Sequence, residues 1–476
     1  MSTTPLPSGT DDPVLNDLLG RVDELVHRLA HYVAFPSVGT DSAYAQGMAD
    51  ARAFLVDRLR ALGFSGVTTL EAGGEPAVYA QSLEAPGAPT LLIYGHYDVQ
   101  PPDPLDLWTT PPFTLTERDG RLYGRGVSDD KAPVLTAIEA LGAFISIEGR
   151  LPINVKILLE GEEETGSRSL AAICRHHRDR LAADAVVSAD GARWRADLAT
   201  VNVGSRGNNG FEVTVTTAVK DLHSGRYGGA VPNALHVMAG LLAGLHRPDG
   251  AIAVSGFTDG LIPPTDAERE AMMAIPFDRA GFFDALGTVD TGEAGFDVLE
   301  RLWYRPTIEV NGMWGGYTGE GSKTVIPNRA TAKLTMRLGP GQDPDTAQAA
   351  VVAHLKAACP AGASVAIDDN RGGCAAYSTP LDHPLLAAVE TAFARTLGTQ
   401  PLRVRMGATL PLTAIMKTEL GLDTVPLAFA TADEDYHAPN EFFRMSGLTD
   451  GLAAWVHFVR VAATQTADDY AAYSVT

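Results

Sequence analysis

LLIYGHYDVQP (91–101) is the stretch that decides the fold. A short apolar run without polar alternation ends abruptly in His96, and Asp98 follows two residues later. That is the pattern of a strand buried on both faces, as in a parallel sheet, opening into a cleft. It recurs: KILLEGEEETG (156–166), AVVSADG (185–191) and PLAFATADEDYHAP (426–439) each run from apolar residues straight into carboxylates or histidine. In open α/β sheets the ligand site lies beyond the carboxyl ends of the strands. Four such ends loaded with His, Asp and Glu point to a metal site.

Working outward, helical periodicity covers 14–33 and 44–62, a strand covers 90–94, and a helix begins just after Asp130. A strand at 153–159, a helix near 168–181 and a strand at 184–188 continue the α/β alternation. The texture then changes. FEVTVTT (211–217) and AKLTMRL (332–338) alternate apolar and polar residues, as half-exposed strands do. With helices at 232–246 and 343–358 and strands near 306–310 and 363–368, the order becomes β-α-β-β-α-β, the ferredoxin-like order. Residues 248–304 interrupt it as a helical or irregular insertion. The α/β texture returns with a helix at 383–397, a strand at 424–430 and a closing helix near 444–463. The expected architecture is α/β: a mixed, mainly parallel sheet flanked by helices, with an inserted ferredoxin-like α+β lid or dimerisation domain. Its expected limits are 1–205 and 378–476 for the catalytic domain and 206–377 for the insert.

At 476 residues, two domains are the natural expectation. The net charge of −21 disfavours nucleic acid and anionic membrane, which both need a positive field. No apolar run reaches the roughly 18–20 residues that cross a bilayer. MSTTPLPSGTDDPV lacks a basic segment and an apolar core, so it reads as a short tail and not a secretory signal. Cys174, Cys359 and Cys374 are odd in number and far apart, which suits a reducing compartment and makes cytoplasm the expected location.

GRGVSDDKAP puts Asp129 and Asp130 in a tight turn before a helix. One such aspartate is ordinarily an N-cap, and Glu162, Glu163 and Glu164 taken alone read as a solvated acidic loop. Coincidence argues otherwise, because all four clusters fall at strand exits. A His/carboxylate set of about five, including one bridging carboxylate, suits two metals about 3.5–4 Å apart. A further carboxylate must then take the proton of the attacking water, and the Glu163–Glu164 pair can supply one base and one ligand. Oxygen-rich ligation admits zinc, manganese or cobalt.

YGHYDVQP, LYGRGVSDDKAP, EGEEETGS, VSADG, DLHSGRYGGAVPN, GSKTVIPNRATAKLTMRL and DEDYHAPNE, in this order, extend over nearly the whole chain. Together they resemble the two-metal amidohydrolase family that includes carnosine dipeptidase, glutamate carboxypeptidase, aminoacylase and succinyl-diaminopimelate desuccinylase. The resemblance implies that His96, Asp129 and Asp190 hold one divalent metal ion. It gives Asp129, Glu164 and His437 to a second, with Zn2+ the expected ion. Asp98 would orient His96, and Glu163 would be the general base. The register of the glutamates is anchored by Thr165, Gly166 and Ser167. His223 would come from the partner subunit of a homodimer to polarise the scissile carbonyl. Arg337 resembles the clamp for the substrate carboxylate, and Thr324, Gly407 and Thr409 resemble further substrate contacts. A cis peptide between Asp129 and Asp130 is also implied. Ala132 replaces the family's usual glycine, and Thr409 stands where the dipeptidases usually have serine. Aspartate at position 190 and the stretch GFTDGLIPPTDAERE favour the dipeptidase branch, acting on small peptides. An N-acyl-amino-acid deacylase or carbamate hydrolase on the same scaffold is the alternative.

Overall fold

The computed structural model describes residues 11–368 and 372–473. Residues 1–10 of the expected tail lie outside them. Its end is already structured: Asp12 caps the helix Pro13–Gly20, accepting from the Val14 and Leu15 amides. The helical stretch expected at 14–33 is two helices, Pro13–Gly20 and Val22–Val33, parted at Arg21, whose φ is −117°.

Two compact units form, one of residues 1–203, 379–404 and 411–476, the other of 204–378 and 405–410. The first is built on a six-stranded sheet in the order Ser65–Leu70, Ala77–Ser82, Asn154–Glu160, Thr90–His96, Ala185–Ser188, Thr424–Pro426. The last four pair parallel, while Ala77–Ser82 runs antiparallel to both its neighbours. Thr90–His96 lies inside this sheet, and Leu91 to His96 are buried. That burial explains its unbroken apolar sequence. The helix Ala132–Glu148, buried from Ala132 to Phe144, covers the sheet. Its approach explains Gly95, where an added Cβ would lie 2.4 Å from Val134 Cγ2. Parallel pairing brings the carboxyl ends of Thr90–His96, Asn154–Glu160 and Ala185–Ser188 to one edge, with His96 opposite Glu160.

The second unit carries a four-stranded antiparallel sheet in the order Thr307–Gly315, Arg329–Leu338, Gly207–Thr216, Ser364–Asp368. Numbered along the chain this is 2-3-1-4, and with the helices Ala234–Ala243 and Pro344–Ala358 it completes the ferredoxin-like β-α-β-β-α-β unit. Alternation follows the pleat: Phe211, Val213, Val215, Leu334, Met336 and Leu338 form the core of this unit. The insertion between its first two strands contains the helices Asp266–Met273, Arg279–Leu286 and Val298–Trp303. Among the described residues no helix is long and apolar enough to cross a membrane.

Candidate metal centre

His96 ends its strand fully buried, and its ring is held from the side. Nδ1 lies 3.0 Å from the backbone oxygen of Asp98. A carbonyl can only accept, so Nδ1 carries the proton and Nε2 is the nitrogen left for a metal. The carboxylate of Asp98 serves the neighbouring strand exit, accepting from the amides of Glu163 (3.2 Å) and Glu164 (3.0 Å). Asp98 thus ties the histidine to the glutamate turn.

Asp129 stands in the turn Val127–Lys131, entered through Gly126 at φ 74°. A Cβ on Gly126 would lie 2.1 Å from Val99 Cγ1, so only glycine fits there. The Asp129–Asp130 peptide is cis. Oδ1 of Asp129 lies 3.0 Å from His96 Nε2, and Oδ2 lies 3.0 Å from His437 Nε2. His437, at φ 67°, also approaches Glu164 Oε2 at 3.2 Å. Two donor groups result, His96–Asp129–Asp190 and Asp129–Glu164–His437, each with its donor atoms within 4.8 Å of one another. Asp129 belongs to both.

Several residues that the sequence reading did not single out hold this arrangement. Gln100 donates to Glu164 Oε2 at 2.8 Å. Glu441, 1 % exposed, accepts from the amides of Gly126 (2.7 Å), Ser128 (2.8 Å) and Asp129 (3.1 Å) and from Arg125 Nη1 (2.7 Å). Glu434 accepts from the Ser128 hydroxyl at 2.6 Å. Gln100 and Glu441 sit inside YGHYDVQP and DEDYHAPNE, so the motifs marked their position but not their partners.

The charges do not balance without a cation. Among the described residues Asp129, Asp130, Glu163, Glu164 and Asp190 gather around two imidazoles, those of His96 and His437, and buried like charges cannot all stay ionised. Burial pushes the Asp190 carboxyl up to about 7, and burial with the charges of Asp190, Asp129 and Glu164 raises Glu163 well above the usual range. Burial would raise Asp129 too, but its hydrogen bonds with His437 and His96 hold it below the ordinary value. The same contacts with Asp129 and Glu164 push His437 up to about 10. Asp130 Oδ1 is buried without a hydrogen-bond partner among the described residues. A set of imidazole nitrogens and carboxylate oxygens, in excess negative charge and sharing one carboxylate, fits divalent cations.

The remaining expected residues belong to the second unit. His223 is exposed and pairs with Val325, beside Thr324, whose carbonyl accepts from the Ser224 amide at 3.1 Å. Arg337 Nη1 donates to Thr409 Oγ1 at 3.0 Å. The carbonyl of Gly407, two residues away, accepts from Arg206 Nε at 2.9 Å.

The family model described as peptidase family M20/M25/M40 matches residues 92–461. Human Beta-Ala-His dipeptidase is 30% identical over 464 residues, covering 92% of this chain and 89% of the relative. The Cys-Gly metallodipeptidase dug1 of Schizosaccharomyces pombe is 28% identical, covering 93% and 96% respectively. The crystal structure of an M20 family metallo-carboxypeptidase from Sulfolobus solfataricus superposes with a TM-score of 0.79 at 29% identity, covering 93% of this chain and all (100%) of that one.

Proposed function

This chain belongs to peptidase family M20/M25/M40 and is a metal-dependent dipeptidase, and we propose that it works through a two-cation centre with Asp129 as the shared ligand. The single observation that carries this reading is Asp129 itself, whose two carboxylate oxygens each meet a different histidine at 3.0 Å. His96 and Asp190 complete one ligand set, and Glu164 and His437 the other. Nitrogen and oxygen donors suit zinc, and also manganese or cobalt. When bound, the pair supplies a water of lowered pKa and Lewis acidity toward the scissile carbonyl.

The rest is done by the chain. Glu163, adjacent to a ligand but left out of both donor groups, takes the proton of the attacking water and delivers it to the leaving amine. Asp98 keeps Glu163 and Glu164 in register through their amides. Arg337 clamps the free carboxylate of the peptide, with Thr324, Gly407 and Thr409 as neighbouring contacts. His223 donates to the developing oxyanion of a neighbouring subunit. The inserted segment 206–377 is then both lid and dimerisation domain. Supporting a dimer, the edge strand Thr307–Gly315 exposes Val310, Met313 and Trp314. Three free cysteines fit the cytoplasm.

The test is to strip the metal with a chelator and restore it with Zn2+, Mn2+ or Co2+ while assaying dipeptides, longer peptides and N-acetyl amino acids. Restored turnover of dipeptides at two ions per chain is expected. Turnover of only the N-acetyl compounds would replace this reading with the deacylase one, and release of carboxyl-terminal residues from long peptides with a carboxypeptidase one. Mixing His223→Ala with Glu163→Gln chains should regain activity in hybrids. Exchange of subunits without any regain would sink the shared site.

A further inference from the structure

Arg206 is an arginine that the fold keeps buried and leaves without a carboxylate. It is 8% exposed, and no Asp or Glu among the described residues lies within ion-pair distance of it. Three backbone carbonyls hold its head: Gly407 from Nε at 2.9 Å, and Arg305 and Arg301 from Nη1 at 3.2 and 3.5 Å. Carbonyls fix a guanidinium in place but do not neutralise it. A buried charge without a counter-ion is costly, but Lys131 and Arg405 are held by backbone carbonyls in the same way, so what singles out Arg206 is the second guanidinium near it.

The neighbouring charge has the same sign. Asn208 lies opposite Arg337 in the sheet, and Arg206, two residues before Asn208, projects to the same face. Both arginines reach the short segment 405–410, Arg206 at the Gly407 carbonyl and Arg337 at the Thr409 hydroxyl. Gly407 lies against Arg206. A Cβ there would lie 2.9 Å from the Leu302 carbonyl and 3.4 Å from Arg206 Nη2. The missing side chain leaves the Nη2 edge open. Burial and the charge of Arg337 pull the Arg206 guanidinium down to about 10, with exposed Glu309 opposing.

We propose that Arg206 and Arg337 form a two-guanidinium receptor for the free carboxylate of the peptide substrate, with Gly407 kept bare so that Arg206 can share it. This rests on the carboxylate-clamp reading of Arg337 above. Arg206 is then a specificity residue: it makes the enzyme discriminate a carboxyl terminus from a neutral one.

The experiment compares alanylalanine with its carboxyl-terminal amide in the metal-loaded enzyme, wild type against Arg206→Gln and Arg337→Gln, with melting temperatures recorded alongside. Wild type is expected to prefer the acid. Arg206→Gln should raise KM for the acid about tenfold or more, leave kcat within about threefold, and erase most of the preference over the amide. A merely structural arginine would lower the melting temperature and leave the acid–amide ratio as in wild type, and that result overturns the proposal. Should Arg206→Gln not fold, Arg206→Lys replaces it: charge without the fork predicts a raised KM with part of the preference kept, and an unchanged KM overturns the proposal. Wild-type enzyme indifferent to the amide, or unaffected by Arg337→Gln, would strike the clamp reading first. A wild-type preference that needs Arg337 but survives Arg206→Gln strikes this inference alone.

Discussion

The Asp129 cluster of the first unit and the Arg206–Arg337 pair of the second are opposite solutions to one problem. The first gathers carboxylates until they exceed the histidines beside them. The second holds two guanidiniums with backbone carbonyls and a hydroxyl, and among the described residues neither has an ion-pair partner. Elsewhere some buried charges are paired internally. Glu139 takes both Arg28 and Arg58, and Arg125 takes Glu441. An unpaired charge alone does not mark a site, since Lys131 and Arg405 are also buried on backbone carbonyls without an ion pair among the described residues. What sets these two clusters apart is like charges gathered together, which we read as places for cations and for a carboxylate respectively.

The largest effect should come from breaking the shared ligand. Asp129→Ala is expected to lose both ions by elemental analysis and to reduce turnover to background; two ions retained would refute the bridging role. Next is Glu163→Gln, which should lower kcat by about 10²–10⁴-fold with metal content unchanged. If metal content falls in step with kcat, Glu163 is a ligand and not the base.

Glu441→Gln sharpens the comparison differently, because Glu441 belongs to the scaffold of the site and not to its charge excess. It removes the anion that organises the Gly126, Ser128 and Asp129 amides of this turn. Metal affinity, read by calorimetric titration of metal-free protein, should weaken about 10–100-fold. Equal loss in a Glu434→Gln control would reduce Glu441 to a general structural role.

The smallest effect concerns Glu160, a buried carboxyl that accepts from the Tyr94 hydroxyl and, at 2.9 Å, from the Ser167 hydroxyl. Burial raises it from 4.5 to about 7. Between those values the folded chain holds a proton that the unfolded chain has released, so stability falls as pH rises through that window. Glu160→Gln should flatten this part of the melting-temperature profile between pH 5 and 8. An unchanged slope would show that Glu160 stays ionised in the fold.

Legibility followed the range of the interactions. The Ser65–Leu70 and Ala77–Ser82 strands went unread, since each is only six residues long and neither carries a clear apolar periodicity. The hairpin of Thr116–Arg118 and Arg121–Tyr123 had a readable signal in Asp119–Gly120, both at positive φ as a two-residue turn requires. The strand expected at 424–430 stops at Pro426, with a separate short pairing at Ala430–Thr431, because proline cannot extend the ladder. Gln100, Glu441 and Arg206 escaped for a common reason. Their residue types are unremarkable in sequence, and their roles exist only through partners 64, 312 and 201 positions away.

From the sequence alone came the α/β class, the ferredoxin-like insert and the clusters in which acids and histidines gather, because periodicity and strand-end chemistry are local and survive in one dimension. Only the folded chain decided that one aspartate meets two histidines, that Glu441 braces its turn, and that a second buried arginine stands near Arg337 without an ion pair among the described residues. Those facts depend on distances between side chains remote in sequence. Such distances are set by packing, and no spacing of letters records them.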